Sequence, residues 1–158
     1  MTDSLTRKIL APQAIAAARW VRPLVFTNGV FDVLHRGHVM YLARARELGA
    51  TLLVGVNSDT SARSLGKGPD RPLNNEVDRV WVLAGLESVS FVSLFGESTP
   101  CELIQRCKPD VYVKGGDYDV EKLEETRLVR SWGGRSLAID FVSGYSTSEL
   151  LARIREPR

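Results

Sequence analysis

Leu24-Val-Phe-Thr-Asn-Gly-Val-Phe-Asp-Val-Leu-His-Arg-Gly-His-Val-Met40 decides how the rest of the chain is read. It carries both histidines of the protein, His35 and His38, spaced His-x-Gly-His. The apolar run Leu24 to Phe26 reads as a buried strand. Behind the histidines, apolar residues from Val39 to Leu48 recur at helical spacing, and Gly49 closes that helix. Strand, glycine-containing loop and helix start together make a place to hold phosphate. Gly37 lets the backbone approach a ligand, and the helix N-terminus offers free N–H groups and a positive dipole end. Two imidazoles one turn apart can donate hydrogen bonds to phosphoryl oxygens whose charge grows during transfer.

Around this stretch the chain has an ordinary soluble composition. Of its 158 residues, 44% are hydrophobic and 25% charged, with a net charge of +2. That balance gives no electrostatic case for a nucleic-acid partner. No apolar run is long enough to span a bilayer, and Met1 to Lys8 lacks the apolar core of a secretory signal. The two cysteines, Cys101 and Cys107, have no zinc-ligand spacing and read as reduced thiols on different turns of one helix. A cytoplasmic protein without a metal-ligand set is therefore expected.

Outward from the opening stretch, strands and helices alternate. Residues 1–8 read as a frayed end, and Ala11 to Trp20 as a helix begun by Pro12. Strands are expected at Leu24–Thr27, Thr51–Asn57, Ser88–Leu94, Val111–Val113 and Leu137–Phe141. Between them fall helices at Gly37–Leu48, from Asn57-Ser58-Asp59 to Leu65, from Asn74 or Asn75 to Gly85, from Thr99-Pro100 to Cys107, and at Glu121–Trp132. The helix ending at Gly85 should bury Val77, Val80, Trp81 and Ala84, and a last helix runs from Ser146 to Arg155. Gly66 to Pro72, rich in glycine, proline and charge, reads as a mobile surface loop. The strands are continuous apolar runs, as in a parallel sheet covered on both faces. The fold class is α/β: one three-layer domain over residues 1–158, with a mainly parallel five-stranded sheet. Residues 1–22 form an N-terminal extension and residues 23–155 the core.

Every conspicuous polar cluster falls just after a strand, where α/β sheets bind ligands. Asn28 to His38 follows the first strand, Asn57 to Asp59 the second, Lys114 to Asp117 the fourth and Gly144 to Ser148 the fifth. Lys114-Gly-Gly-Asp117 combines a cation with a carboxylate. Lys114 suits a phosphate, and Asp117 a ribose hydroxyl or the ordering of its own loop. Ser146, Thr147 and Ser148 offer hydroxyls at a helix start, although helix capping accounts for them equally well. Lys67, Arg71 and Arg79 lie in or beside the mobile loop, where a solvated face is the plain alternative.

These motifs, in this order, resemble the His-x-Gly-His nucleotidyltransferase superfamily: Phe-Thr-Asn-Gly-Val-Phe-Asp-Val-Leu-His-Arg-Gly-His, Val-Asn-Ser-Asp, Arg-Pro, Lys-Gly-Gly-Asp-Tyr and Tyr-Ser-Thr-Ser. Within it the chain is similar to the branch that adenylylates heptose 1-phosphates, in its free-standing form without a kinase half. The resemblance runs from about Pro23 to Arg155. It implies a Rossmann-like fold, ATP as substrate, Mg2+, and a sugar 1-phosphate that receives the adenylyl group for lipopolysaccharide or capsule heptose supply. It implies catalytic roles for His35, His38 and Lys114. Thr27, Asn28, Gly29, Phe31, Gly37, Gly115, Asp117, Ser146, Thr147 and Ser148 would bind nucleotide, and Asp32, Asn57, Lys67, Arg71 and Arg79 would bind substrate. The branch often has cysteine where Val30 and Tyr145 stand, so neither position needs a thiol. Small-molecule partners and a homodimer or higher homo-oligomer are expected. A glycerol-3-phosphate cytidylyltransferase, a metal-dependent hydrolase and a nucleotide sensor without turnover are the competing readings.

Overall fold

A computed structural model describes residues 3–156. Its sheet contains β1 (Leu24–Gly29), β2 (Thr51–Asn57), β3 (Phe91–Phe95), β4 (Val111–Gly115) and β5 (Arg135–Ile139). The spatial order is β3-β2-β1-β4-β5, and all four pairings are parallel. The helices are α1 (Asp3–Thr6), α2 (Arg36–Arg46), α3 (Asp59–Ser64), α4 (Glu76–Ala84), α5 (Cys101–Cys107), α6 (Glu124–Arg130) and α7 (Thr147–Arg155).

The three layers follow from alternation along the strands, which sends successive side chains to opposite faces. Val25, Val54 and Val113 pack on one face with Leu42 of α2 and Leu83 of α4. Phe26, Leu53 and Tyr112 pack on the other with Leu103 and Ile104 of α5 and Val129 of α6. β2 is buried at every position, as a central strand covered on both faces must be. Because β2 and β4 lie on opposite sides of β1, the chain leaves β1 and β4 in diverging directions. A crevice opens at their carboxyl ends.

Several elements differ from expectation. The stretch after Pro12 is a short 3-10 helix, Pro12–Ala17, and Ala18 is already extended. It has no side-chain cap and buries only Ile15, so alanine propensity alone does not carry it further. The N-terminal segment is not uniformly frayed: Ile9 bridges Val92 in parallel, covering the outer edge of β3. Met1 and Thr2 lie outside the described residues. The expected helix from Glu121 is divided into a 3-10 turn, Val120–Lys122, and α6. β5 begins two residues earlier than expected, which leaves Phe141 free beyond its end.

The stripe expected on α4 is rotated. Val80 and Ala84 are buried, but their buried companions are Arg79 and Leu83, while Val77 and Trp81 are exposed. Cys101 and Cys107 are free thiols at the two ends of α5, and burial pushes Cys107 up to about 12. No helix among the described residues is long and apolar enough to cross a membrane.

Candidate active site

The crevice at the ends of β1 and β4 is a cavity of about 630 Å3, the size of a small-molecule site. His35, the residue that caps α2, and His38, in its first turn, both line it. Their rings stack with centroids 3.9 Å apart at 28°, and Phe31 meets His38 edge-on at 5.6 Å. Gly37 makes the stack possible. A Cβ there would lie 2.9 Å from Cε1 and 3.0 Å from Nδ1 of His35. Phe31 itself has φ of 51°, a left-handed conformation that a bulky residue adopts only under constraint from its surroundings.

The hydrogen bonds at the helix start fix the state of both imidazoles. The backbone N–H of Gly37 donates to Nδ1 of His35 at 3.1 Å, and that of His35 donates to Nδ1 of His38 at 3.4 Å. A ring nitrogen that accepts an N–H carries no proton, so each neutral ring is protonated on Nε2. Burial, assisted by the charges of His35 and Lys67, pulls His38 down to about 4. Burial lowers His35 as well. At neutral pH the pair is two uncharged Nε2–H donors.

Lys114 faces the histidines from β4. Its Nζ donates to the backbone oxygen and to Oδ1 of Asn28 at 3.4 Å each, bridging the two strands at the crevice. Tyr112 donates to the same Oδ1 at 3.0 Å, and the Tyr118 ring lies 4.8 Å from the ammonium. Burial pulls this ammonium below the ordinary lysine range, against the carboxylates of Glu125 and Asp117.

Most of the residues singled out in the sequence meet here. Asn28, Gly29, Phe31, Gly115 and Asp117 line the cavity, as do Ser146, Thr147 and Ser148 at the start of α7. Ser146 caps α7, its hydroxyl accepting the Glu149 N–H at 3.0 Å, and Thr147 ties the helix to Val33. Lys67 and Arg71 complete a positive lining. Asp32 also borders the cavity, but its carboxylate accepts the N–H groups of Leu73 and Asn74 at 2.9 Å each, with Arg71 at 3.4 Å. It clamps the loop rather than facing open space.

Four of the named residues lie behind the wall. Arg79, expected among the substrate contacts, has a fully buried side chain. Its nitrogens donate to the oxygens of Asn74 at 3.0 Å, Val30 at 2.7 Å and Asp59 at 2.8 Å. Arg79 does not line the cavity and braces its wall from inside. Asn57 is buried and donates to Ser61, Thr27 is buried against the Tyr41 hydroxyl, and Gly37 lies under His35. The wall also contains Tyr41, Tyr118, Phe141 and Tyr145, which motif reading passed over as site residues. Tyr41 was traceable, one turn beyond His38 on the inner face of α2. Phe141 was not, because its ring folds back over Gly115.

A cavity lined by cations, neutral imidazole donors and two helix starts suits a polyanion. Among the described residues no group of three or more His, Cys, Asp or Glu is placed to hold a metal ion. A parallel sheet with a glycine-containing strand-to-helix turn at the strand-order reversal is the architecture of nucleotide-binding α/β proteins. The sequence model of the cytidylyltransferase-like family matches residues 26–153, and the chain belongs to that family.

Relatives narrow the comparison. The chain is 60% identical over 143 residues to D-beta-D-heptose 1-phosphate adenylyltransferase of Bordetella bronchiseptica, covering 90% of this chain and 88% of that protein. It is 47% identical to the bifunctional protein HldE of Geotalea uraniireducens, covering 98% of this chain but only 32% of that longer protein. Among solved structures, a lipopolysaccharide core biosynthesis protein from Thermoplasma volcanium superposes with a TM-score of 0.64 at 30% identity, covering 78% of this chain and 98% of that one. Pantothenate synthetase from Thermus thermophilus has a TM-score of 0.56 at 16% identity, covering 92% of this chain and 70% of that one, a likeness of fold alone.

Proposed function

We propose that this protein transfers AMP from ATP to D-glycero-β-D-manno-heptose 1-phosphate, giving ADP-heptose and pyrophosphate. The observation that carries this reading is the 60% identity, over nearly the full length of both chains, to a heptose 1-phosphate adenylyltransferase. The geometry supports the chemistry independently of that name.

The sugar-phosphate oxygen attacks the α-phosphorus of ATP in line. A bond forms from that oxygen to phosphorus, and the bond from phosphorus to the bridging oxygen breaks, releasing pyrophosphate. The attacking group is already an anion, so no general base is needed. Catalysis then rests on positioning and charge stabilisation. His35 and His38 act as Nε2–H donors to oxygens that gain charge, and Lys114 supplies the fixed cation. Lys67 and Arg71 assist with the phosphates at the cavity mouth. The start of α7, with Ser146 to Ser148, holds the terminal phosphates. A resident metal does not fit a lining dominated by cations and neutral donors. Mg2+ is proposed instead as the companion of the nucleotide, held by its phosphates, where it offsets charge on the pyrophosphate.

The test is a panel of nucleoside triphosphates against sugar and polyol phosphates, scored by pyrophosphate release. Turnover with ATP and the heptose 1-phosphate is expected. Turnover confined to CTP with glycerol 3-phosphate would replace this reading with a polyol-phosphate cytidylyltransferase. ATP binding without release of pyrophosphate would leave a sensor.

A further inference from the structure

The register of β1 against β4 sets the floor of the crevice. Phe26 lies opposite Tyr112, and their rings stack with centroids 6.2 Å apart at 28°. Asn28 and Lys114 stand two residues further along these strands, on the same face of the sheet. The Tyr112 ring is fully buried in the core that α5 and α6 cover, and its hydroxyl donates to Oδ1 of Asn28 at 3.0 Å. Nζ of Lys114 donates to the same Oδ1 at 3.4 Å. Asn28 and Lys114 line the cavity, whereas Tyr112 stands behind them.

An asparagine amide can present either end to a hydroxyl, which donates or accepts equally well. Lys114 removes the choice. An ammonium has no acceptor, so the end of the amide that it meets is the oxygen, and the hydroxyl at that oxygen is a donor. Burial pushes the Tyr112 hydroxyl above the ordinary tyrosine range, so it keeps the proton it donates. With Oδ1 held at the floor, the N–H2 end of Asn28 is the end left to the cavity. We propose that Tyr112 is a positioning residue for the reaction: from the core it fixes the Asn28 amide so that the N–H2 group donates to a phosphate oxygen of the nucleotide.

Tyr112 suits this task better than Lys114 does. The ammonium ends a flexible four-carbon stem, lines the cavity itself and is free to exchange its contact with Asn28 for a phosphate. The phenol is a rigid ring packed against Phe26, and its hydroxyl holds Oδ1 whether or not Lys114 has turned to a ligand. A phenylalanine at this position would fill the same core volume and leave the amide free to turn.

The inference rests on the proposed adenylyl transfer only for what the amide meets, so it is read first without turnover. In the ligand-free protein, the side-chain amide NMR resonances of Asn28, assigned by their loss in Asn28→Ala, should move in Tyr112→Phe. Nucleotide affinity is then measured by titration calorimetry with the nucleoside triphosphate that the wild-type protein binds, ATP by the proposed reading. Tyr112→Phe is expected to weaken it about tenfold, the scale of one hydrogen bond to a charged group. Asn28→Ala should weaken it at least as much. Adding Tyr112→Phe to Asn28→Ala should then cost less than about twofold, because the hydroxyl has no amide left to hold. The same pattern is expected in kcat/KM for pyrophosphate release. Effects that multiply in full would overturn the inference and assign the hydroxyl to the core alone. So would unmoved Asn28 resonances, wild-type affinity in Tyr112→Phe, or failure of that variant to fold. Coupled losses of affinity in a protein that releases no pyrophosphate would support the positioning role and count against adenylyl transfer alone.

Discussion

The Nδ1 atom of His38 accepts the backbone N–H of His35, the residue that caps the same helix. One contact closes the helix start and directs the Nε2 proton of His38 to the cavity. Structure and chemistry are joined here in a single atom pair, and the consequences can be measured.

His38 titrates near 4 in the fold, against 6.5 for an unperturbed imidazole. The folded value is the lower one, so as pH falls the unfolded chain takes up its proton first. Destabilisation from this group should begin below about pH 6.5 and be complete near 4, with none above 6.5. Urea denaturation across that range should show the slope, and His38→Gln should flatten it. The profile of kcat/KM should likewise show no His38 limb near 6.5, since it reports the free enzyme.

His38→Ala is expected to lower kcat by on the order of 10²-fold or more, as loss of a donor to transition-state charge does. Wild-type kcat in the alanine variant would remove the histidine from the reaction.

Gly37→Ala addresses the same stack without touching either imidazole. The new methyl group would lie 3.1 Å from Cβ of Tyr145 and closer still to the His35 ring. The ring must shift, so kcat should fall by about tenfold or more, as small misplacements of catalytic groups do. Circular dichroism should show little change in helix content.

Arg79→Met separates an internal strut from a substrate ligand. Removing the buried partner of the Arg79–Asp59 ion pair is expected to lower stability by about 3 kcal/mol. The loss should appear as an earlier urea midpoint. A variant with wild-type stability and a raised KM for either phosphate substrate would restore the role that sequence position suggested.

Chelation with EDTA should abolish pyrophosphate release while leaving the thermal midpoint of the nucleotide-free protein unchanged. A metal carried by the substrate contributes to turnover and not to folding. A midpoint that falls with EDTA would point to a protein-held ion instead.

The parallel α/β class was legible because its signals are local. Continuous apolar runs of strand length alternate with capped helices, and neither needs a distant contact to be recognised. The His-x-Gly-His turn was legible for the same reason, with its glycine and both imidazoles within four residues. Strand order was not, since which strand flanks β1 depends on packing across the whole sheet. The role of Arg79 also escaped local reading. A charged residue one turn into an amphipathic helix looks solvated until the oxygens of Val30, Asn74 and Asp59 are found around it.

The sequence by itself determined the alternation of strands and helices, the helix start after β1 and the presence of two histidines there. Periodicity, capping and glycine spacing act over a few residues. Tertiary structure alone decided that the histidines are neutral Nε2–H donors, that Lys114 lines the same cavity, and that Arg79 is turned inward. Tautomer, burial and field are set by groups that fold together from distant parts of the chain, and no short stretch contains both the charge and its surroundings.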